Sequence, residues 1–351
     1  MSNQMTLAPN LARMLEGEPD APLQTIPSGP FKGVKVEPMP ESFESDRKFF
    51  RYVASDEDPR GDMIIVPDVG AFCLAPRALD AFTKMTGLKK PDWFVKTFDA
   101  ATRTDMATQA LASVGSRKTR CFFRETADGP TILSLLDSRR PVLADVEVLQ
   151  AASEVFGSNL KTKLARRADG GMNLQLLAGD AIDLMAGRKK SDMEIGDPVE
   201  FGVQIRNSQL GFFSPYLDGF MERLTCKNGA TTDKRMDAWS TYDRDKSLTH
   251  ADLREWFVRG LHEVAAQLDV NIDKCKLAID TDAGPDLLAA ACADNGMPAK
   301  MMQMVYKAFM KEPGTKLWHI SNAFSLAAHT NDLSLPEQLK LERVAGSLIF
   351  A

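Results

Sequence analysis

The sequence predicts an α+β fold, with a mixed or antiparallel sheet core and flanking helices, followed by a helical C-terminal part. Two observations carry this. Up to about residue 235, short apolar runs with period two are separated by turn dipeptides; beyond about 248, apolar residues recur at helical spacing between Pro starts and Gly stops. A third feature sets the N-terminus apart: residues 1–45 hold seven prolines and little periodicity. The chain of 351 residues therefore divides into a Pro-rich arm (1–45), an α+β core (46–246) and a helical region (247–351). The arm's composition cannot make its own core, so residues 17–45 are expected to run extended against the body or a neighbouring subunit.

KFFRYVA (48–54) and DMIIVP (62–67) read as strands joined by a polar turn. Pro76 and Gly87 frame a short helix, and Pro91 opens a longer one running through Leu111. RCFFRE (120–125) and PTILSLL (130–136) form a hairpin across TADG, and ADVEVLQAASEVF (144–156) is helical. MNLQLLAG (172–179) returns to strand. After Asp245, Thr249 caps a helix through Trp256 and Phe257, and Pro285, Pro298 and the capping box Ser334–Glu337 open later ones. The Met-rich helix over 297–310 reads as core filling.

Composition is that of a globular protein, with 44% hydrophobic and 26% charged residues. No apolar run approaches the ~20 residues of a membrane span, and the N-terminus lacks the pattern of a secretory signal, so the expected location is the cytoplasm, without membrane partners. Five cysteines without CxxC spacing are expected to be reduced thiols. No nucleotide-binding glycine motif, GxSxG or HExxH occurs, so no cofactor is expected and a non-enzymatic role is favoured. Asp280, Asp282 and Asp286 resemble a cation loop but lack the downstream Glu of an EF-hand. An interhelical turn, with Thr281 or Asp282 as the cap, explains them as well.

The net charge of −5 is unevenly spread. Residues 1–70 hold 7 basic and 12 acidic side chains, whereas residues 115–190 hold 13 basic and 9 acidic ones. The basic residues come in clusters. Arg117, Lys118, Arg120 and Arg124 flank the first hairpin, and Arg139 and Arg140 follow it. Lys161, Lys163, Arg166 and Arg167 are read as one loop, Arg188, Lys189 and Lys190 as another. Interleaved Phe122, Phe123, Phe212, Phe213 and Tyr216 offer stacking platforms for bases. A solvated rim of cations around core aromatics is the alternative.

The stretch NSQLGFFSPYLDGFMERLTCKNG (207–229) reads as a tight turn followed by strand. Asn207 and Ser208 bond local backbone, Gly211 takes positive φ, and Asn228-Gly229 supplies a closing turn. Alternation sets Arg223 and Lys227 on one face, beside the basic clusters around Arg139 and Lys163. With Arg206 just before the turn, these complete the candidate nucleic-acid-binding set.

At these residues the chain resembles the phage/plasmid-like proteins that carry a large domain of unknown function. The resemblance rests on Asn207-Ser208-x-x-Gly211, then Arg223-Leu224-x-Cys226-x-Asn228-Gly229. Trp318-x-x-x-Asn322-Ala323 with Ala327, and Leu341-Glu342-x-x-Ala345-Gly346, support it. FFRETADGPTILSLLDSRRPVL is similar to the family's hairpin and loop, with Arg139-Arg140-Pro141 where the family has a tyrosine. The resemblance spans about 70–350, brings no established active site, and implies a mobile-element protein made in the host cytoplasm. The leading expectation is a phage or plasmid accessory protein that binds nucleic acid, single-stranded DNA above all, in recombination or replication, as a homo-oligomer. The rival expectations are an assembly protein tied together by its arm and a metal-dependent enzyme using the three aspartates.

Overall fold

The fold is α+β, built around two sheets, in a computed structural model that describes residues 24–26, 31, 35–56, 61–88, 91–156, 160–168, 171–184, 198–223, 228–237, 248–330 and 333–350.

The first sheet has six strands. They are β3 (Glu41–Asp46), β4 (Arg51–Val53), β5 (Met63–Val66), β6 (Gly70–Leu74), β7 (Lys118–Thr126) and β8 (Gly129–Asp137), in the order β3-β7-β8-β6-β5-β4. Only β6 and β8 run parallel. β3 and β4 are the two edges, yet only residues 47–50 separate them. A flat sheet would put those edges about 24 Å apart at about 4.8 Å per strand. Five Cα steps span at most about 18 Å, so the sheet has to roll up. Phe43 of β3 accordingly reaches across to Phe72 of β6, with ring centroids 5.1 Å apart. The helices α1 (Pro76–Thr86), α2 (Pro91–Thr97) and α3 (Ala100–Ser113) close this core with Phe82, Phe94, Ala107 and Leu111.

The single long helix expected from Pro91 is two helices. Asp99 accepts from the Thr102 amide at 2.7 Å and starts a new helix. Arg103, buried, donates to the carbonyls of Val95 and Phe98 at the end of the preceding one. Two strands of this sheet were not expected. β3 lies within the Pro-rich arm, and β6 follows a turn in which Asp68 takes φ 63°. The stretch 48–54 is strand only from Arg51, after a 3-10 turn at Arg47–Phe49.

The second sheet is an antiparallel meander of β9 (Lys161–Ala168), β10 (Gly171–Ile182), β11 (Val199–Asn207), β12 (Tyr216–Arg223) and β13 (Asn228–Asp237). Residues 161–168, expected as a loop, are therefore strand. Asn228-Gly229 opens β13, paired with Arg223 and Glu222, instead of forming a turn. On one face Leu174, Ile205 and Leu217 align in register. They pack against α4 (Asp145–Phe156) and α5 (His250–Ala266) through Leu149, Phe156, Trp256 and Phe257.

Arm residues Ile26, Phe31 and Val36 are buried in this same cluster, and β1 (Gln24–Thr25) pairs with β2 (Lys35–Val36). The described residues of the arm thus run against the body, and from Glu41 it is a strand of the first sheet. The helical region after 247 likewise has no separate core. α6 (Leu268–Asp280), α7 (Pro285–Asp294), α8 (Ala299–Phe309), α9 (Leu317–Ala328) and α10 (Leu335–Phe350) share one apolar cluster with Val199, Phe201, Met221 and Ala230 of the second sheet. Met301 is buried in that cluster and Met304 packs against it.

Helix starts make the fold acid-sensitive. The Asp99 carboxyl is held below its ordinary pKa by the Thr102 amide, and Asp252 by the Thr249 side chain and amide. Glu337 is held down by the Ser334 side chain and amide. A carboxyl depressed in the folded state contributes stability above its unfolded pKa, and that stability is lost as pH falls through the folded value. The melting temperature is therefore expected to hold from pH 7 to about 5 and to fall below about 4. Melting unchanged at pH 3 would remove these caps from the account.

Candidate functional sites

The expected site residues fall into three groups. Arg117, Lys118, Arg139 and Arg140 are exposed and meet at one end of the first sheet. The register pairs Lys118 with Asp46 and Thr119 with Asp137, and Ser138 N–H donates to the Lys118 carbonyl at 3.1 Å. Arg140 N–H donates to the Asp137 carbonyl at 2.9 Å. The turn at 47–49 crosses the same end. Arg47 N–H donates to the Arg117 carbonyl at 3.1 Å, and its side chain donates to Thr119 at 2.7 Å. Lys48 lies 4.8 Å from the ring centroid of Phe49, which is 53% exposed. Three carboxylates share this end. Glu44 pairs with Arg120 at 3.2 Å, Asp137 with Arg139 at 3.2 Å, and Asp46 accepts from Ser116. Hydrogen bonds from Ser116 and Arg139 respectively hold the Asp46 and Asp137 carboxyls below their ordinary pKa. The cations still outnumber the carboxylates. Arg124 lies farther along β7 and pairs with Glu37 at 3.0 Å.

Lys163, Arg206 and Arg223 are largely buried and leave the candidate surface. The reason is that the second sheet is covered on both faces: every residue of β11 and β12 is buried. Arg206 is fully buried and bonds the Tyr216 hydroxyl and the Gln204 side chain, with Asp218 at 3.7 Å. Lys163 pairs with Glu222 at 2.9 Å, and burial lowers its pKa. Arg223 pairs with Glu312 and not with the basic loops. The enclosed Lys163–Glu222 pair is structural, since removing either partner leaves a desolvated charge.

The third group is Lys161, Arg166, Arg167 and Lys227. Lys161 is exposed on β9 of the second sheet. Arg166 and Arg167 are placed on β9 by backbone only. Lys227 and the segment Arg188, Lys189 and Lys190 fall outside the described residues. Of the expected aromatic platforms, Phe122 is fully buried and Tyr216 is buried. Phe212 is covered by Arg77 at 4.7 Å. The exposed Phe49 was not singled out.

Sequence reasoning also missed a polar layer. Asn173, Arg206 and Tyr216 align across three strands, and so do Gln175, Gln204 and Asp218. All six are buried. From α10, buried Glu342 accepts from Gln175 and from Gln204, each at 3.1 Å. The signal was present as polar residues at period two inside apolar strands, in MNLQLL, VQIRN and YLDGFMER.

Asn207-Ser208-x-x-Gly211 proves to be the joint between the sheets, so the stretch from Leu210 to Phe213 is turn and not strand. Asn207 donates to the Leu143 carbonyl at 3.0 Å and to Asp145 at 2.7 Å, at the start of α4. Ser134 of β8 donates to the Leu210 carbonyl at 2.8 Å, and Gln209 reaches the Pro38 carbonyl at 3.4 Å. Gly211 takes φ 70°, and a Cβ there would stand 2.2 Å from a Leu136 methyl. The signature is therefore architectural.

The acidic loop does not converge as a cation loop would. Asp282 pairs with Lys316 at 2.7 Å, and Gly284, not Thr281 or Asp282, takes the N-cap position of α7. Among the described residues no cluster of His, Cys, Asp and Glu has the geometry of a metal site, and no helix is long and apolar enough to cross a membrane. No family model, no curated protein and no solved structure matches this chain.

Proposed function

We propose that the protein binds single-stranded nucleic acid through the end of the first sheet where Arg117, Lys118, Arg139 and Arg140 emerge. The supporting observation is the meeting of these exposed cations with Lys48 and the exposed ring of Phe49 on the adjacent turn. Phosphates are drawn by the excess of cations, and a base stacks on Phe49, which selects unpaired strands because paired bases have no free face. The resemblance to phage and plasmid proteins sets this binding in recombination or replication of a mobile element, with copies of the protein lengthening the path along the strand. The assembly reading is weakened where the arm is described, because Ile26, Phe31, Val36 and β3 pack on their own chain.

Binding of a labelled single strand, measured by anisotropy across a salt series, tests this. Replacing Arg117, Lys118, Arg139 and Arg140 together by Ala is expected to flatten log K against log[salt] by about 0.7 per lost contact, roughly three units in all. Phe49→Ala is expected to weaken single-strand binding by about 1–3 kcal/mol while leaving duplex binding unchanged. Wild-type affinity and slope in the fourfold variant would overturn the assignment.

A further inference from the structure

Two of the sequence signatures, one at Arg223 and one at Trp318 and Asn322, are far apart in the chain and meet in the fold. Between them lies a cleft of about 430 Å³ whose walls include Arg223, Glu312, Gly314, Lys316, Trp318 and His319. We propose that this cleft binds the phosphate group of a small phosphomonoester, which takes the place of Glu312 on Arg223.

Arg223 is fixed. Its side chain is 11% exposed, and with the Asn322 amide turned so that its oxygen faces the donors, that oxygen accepts from Nη1 at 2.9 Å. The Asn322 oxygen is oriented by the buried Trp318 indole, which donates to it at 3.0 Å. Glu312 is the opposite case. Its side chain is 34% exposed and follows the end of α8, so it returns to water at small cost. A fixed guanidinium holding an exchangeable carboxylate is an anion seat with a resident occupant.

His319 supplies a second donor. Its Nδ1 accepts from the Lys316 amide at 3.3 Å, which leaves Nε2 carrying the proton in the neutral ring. Burial, then the charges of Arg223 and Lys316, lower its pKa, while Glu312 acts in the opposite sense. Gly314 makes room for the ring, since a Cβ there would stand 2.3 Å from Nδ1. Lys316 also lines the cleft, tethered to Asp282 at 2.7 Å and to the Asp280 carbonyl at 3.2 Å. Three donor side chains lining one cleft, Arg223, His319 and Lys316, suit the three terminal oxygens of a phosphomonoester better than a planar carboxylate. The volume lies in the range of small-molecule sites and far exceeds one anion, leaving space for the organic part. Trp318 is buried and committed to Asn322, so the site offers no indole for stacking.

The test uses the full chain and calorimetric titration with inorganic phosphate, a nucleoside 5′-monophosphate and acetate. A saturable monophosphate isotherm is expected, with acetate at least about tenfold weaker. Glu312→Gln, which removes the competing charge, is expected to tighten binding about threefold. Lys316→Met and His319→Gln are each expected to weaken it about tenfold, with the fold confirmed by near-ultraviolet circular dichroism. If Glu312→Gln binds no tighter, if both other variants bind as wild type, or if acetate matches the monophosphate, the proposal is overturned. A variant that fails to fold leaves the Glu312→Gln result to decide. Oligonucleotides with a 5′-phosphate or a 5′-hydroxyl, tested in the fourfold Ala variant of the first sheet, separate a strand end from a free metabolite as the source. Loss of binding there for both oligonucleotides, with monophosphate binding intact, assigns the cleft to the free molecule.

Discussion

Gly346→Ala is expected to be among the most damaging single-methyl additions in this chain. A Cβ at Gly346 would stand 1.6 Å from the carbonyl oxygen of Thr231 and 2.8 Å from its carbon. Both are backbone atoms of β13, so no rotamer change relieves the clash; α10 has to lift from the strand. Lifting it disturbs the burial of Leu341, Val344, Ala345 and Phe350, and the bonds of Glu342 to Gln175 and Gln204. Overpacking of this kind costs about 3 kcal/mol, a large share of the roughly 5–15 kcal/mol that holds a domain together. A urea series measures it through the midpoint at constant slope. A loss below about 0.5 kcal/mol, the range of surface changes, would show that α10 and β13 do not touch as described.

Asn207→Ala is the second large effect. The Asn207 amide is fully buried and serves the Leu143 carbonyl and the Asp145 carboxylate, itself fully buried. Removing it takes a donor from both. Each desolvated acceptor left without that donor costs about 1–3 kcal/mol, so a loss of about 2–4 kcal/mol is expected. Asn207→Asp distinguishes this bonding from simple packing. It sets a second carboxylate against Asp145, and like charges disfavour joint ionisation. That variant should be least stable at neutral pH relative to wild type, and the gap should narrow as pH falls and one carboxyl binds a proton. A gap independent of pH would reassign Asn207 to shape alone.

Several of the elements that were legible from the sequence have a single covered face. The β7–β8 hairpin shows this, as do α1, with Pro at its start and Gly87 in the left-handed region at its end, and α5, with its Thr249–Asp252 capping box. β9 was misread as a loop because its Lys and Arg residues broke the apolar pattern. Lys163, one of them, is largely buried against Glu222, a state that residue type alone does not signal. β3 was missed because five of its six residues are charged or hydroxylated and imitate an extended arm; its partner β7 lies more than seventy positions away. The candidate surface divided on the same ground. Arg117 and Arg139 are exposed because they lie outside the strands, whereas Arg206 and Arg223 lie in strands covered on both sides. Charge is visible in a sequence, and the second layer that buries it is not.

The polar layer of the second sheet also governs how its strands find each other. In a meander whose strands were uniformly apolar, neighbours one residue out of step would lose little. Here a one-residue slip of β11 on β10 turns Gln204 and Arg206 toward Leu253, Trp256 and Phe257, and exchanges Ile205 into the layer that Glu342 occupies. Each misplaced group would be a desolvated amide or guanidinium without its acceptor, at about 1–3 kcal/mol apiece and more for the charge. Mispaired chains are therefore penalised at several positions at once, and the aligned meander is separated in energy from its nearest competitors. The buried charges serve as a proofreading device for strand alignment during folding.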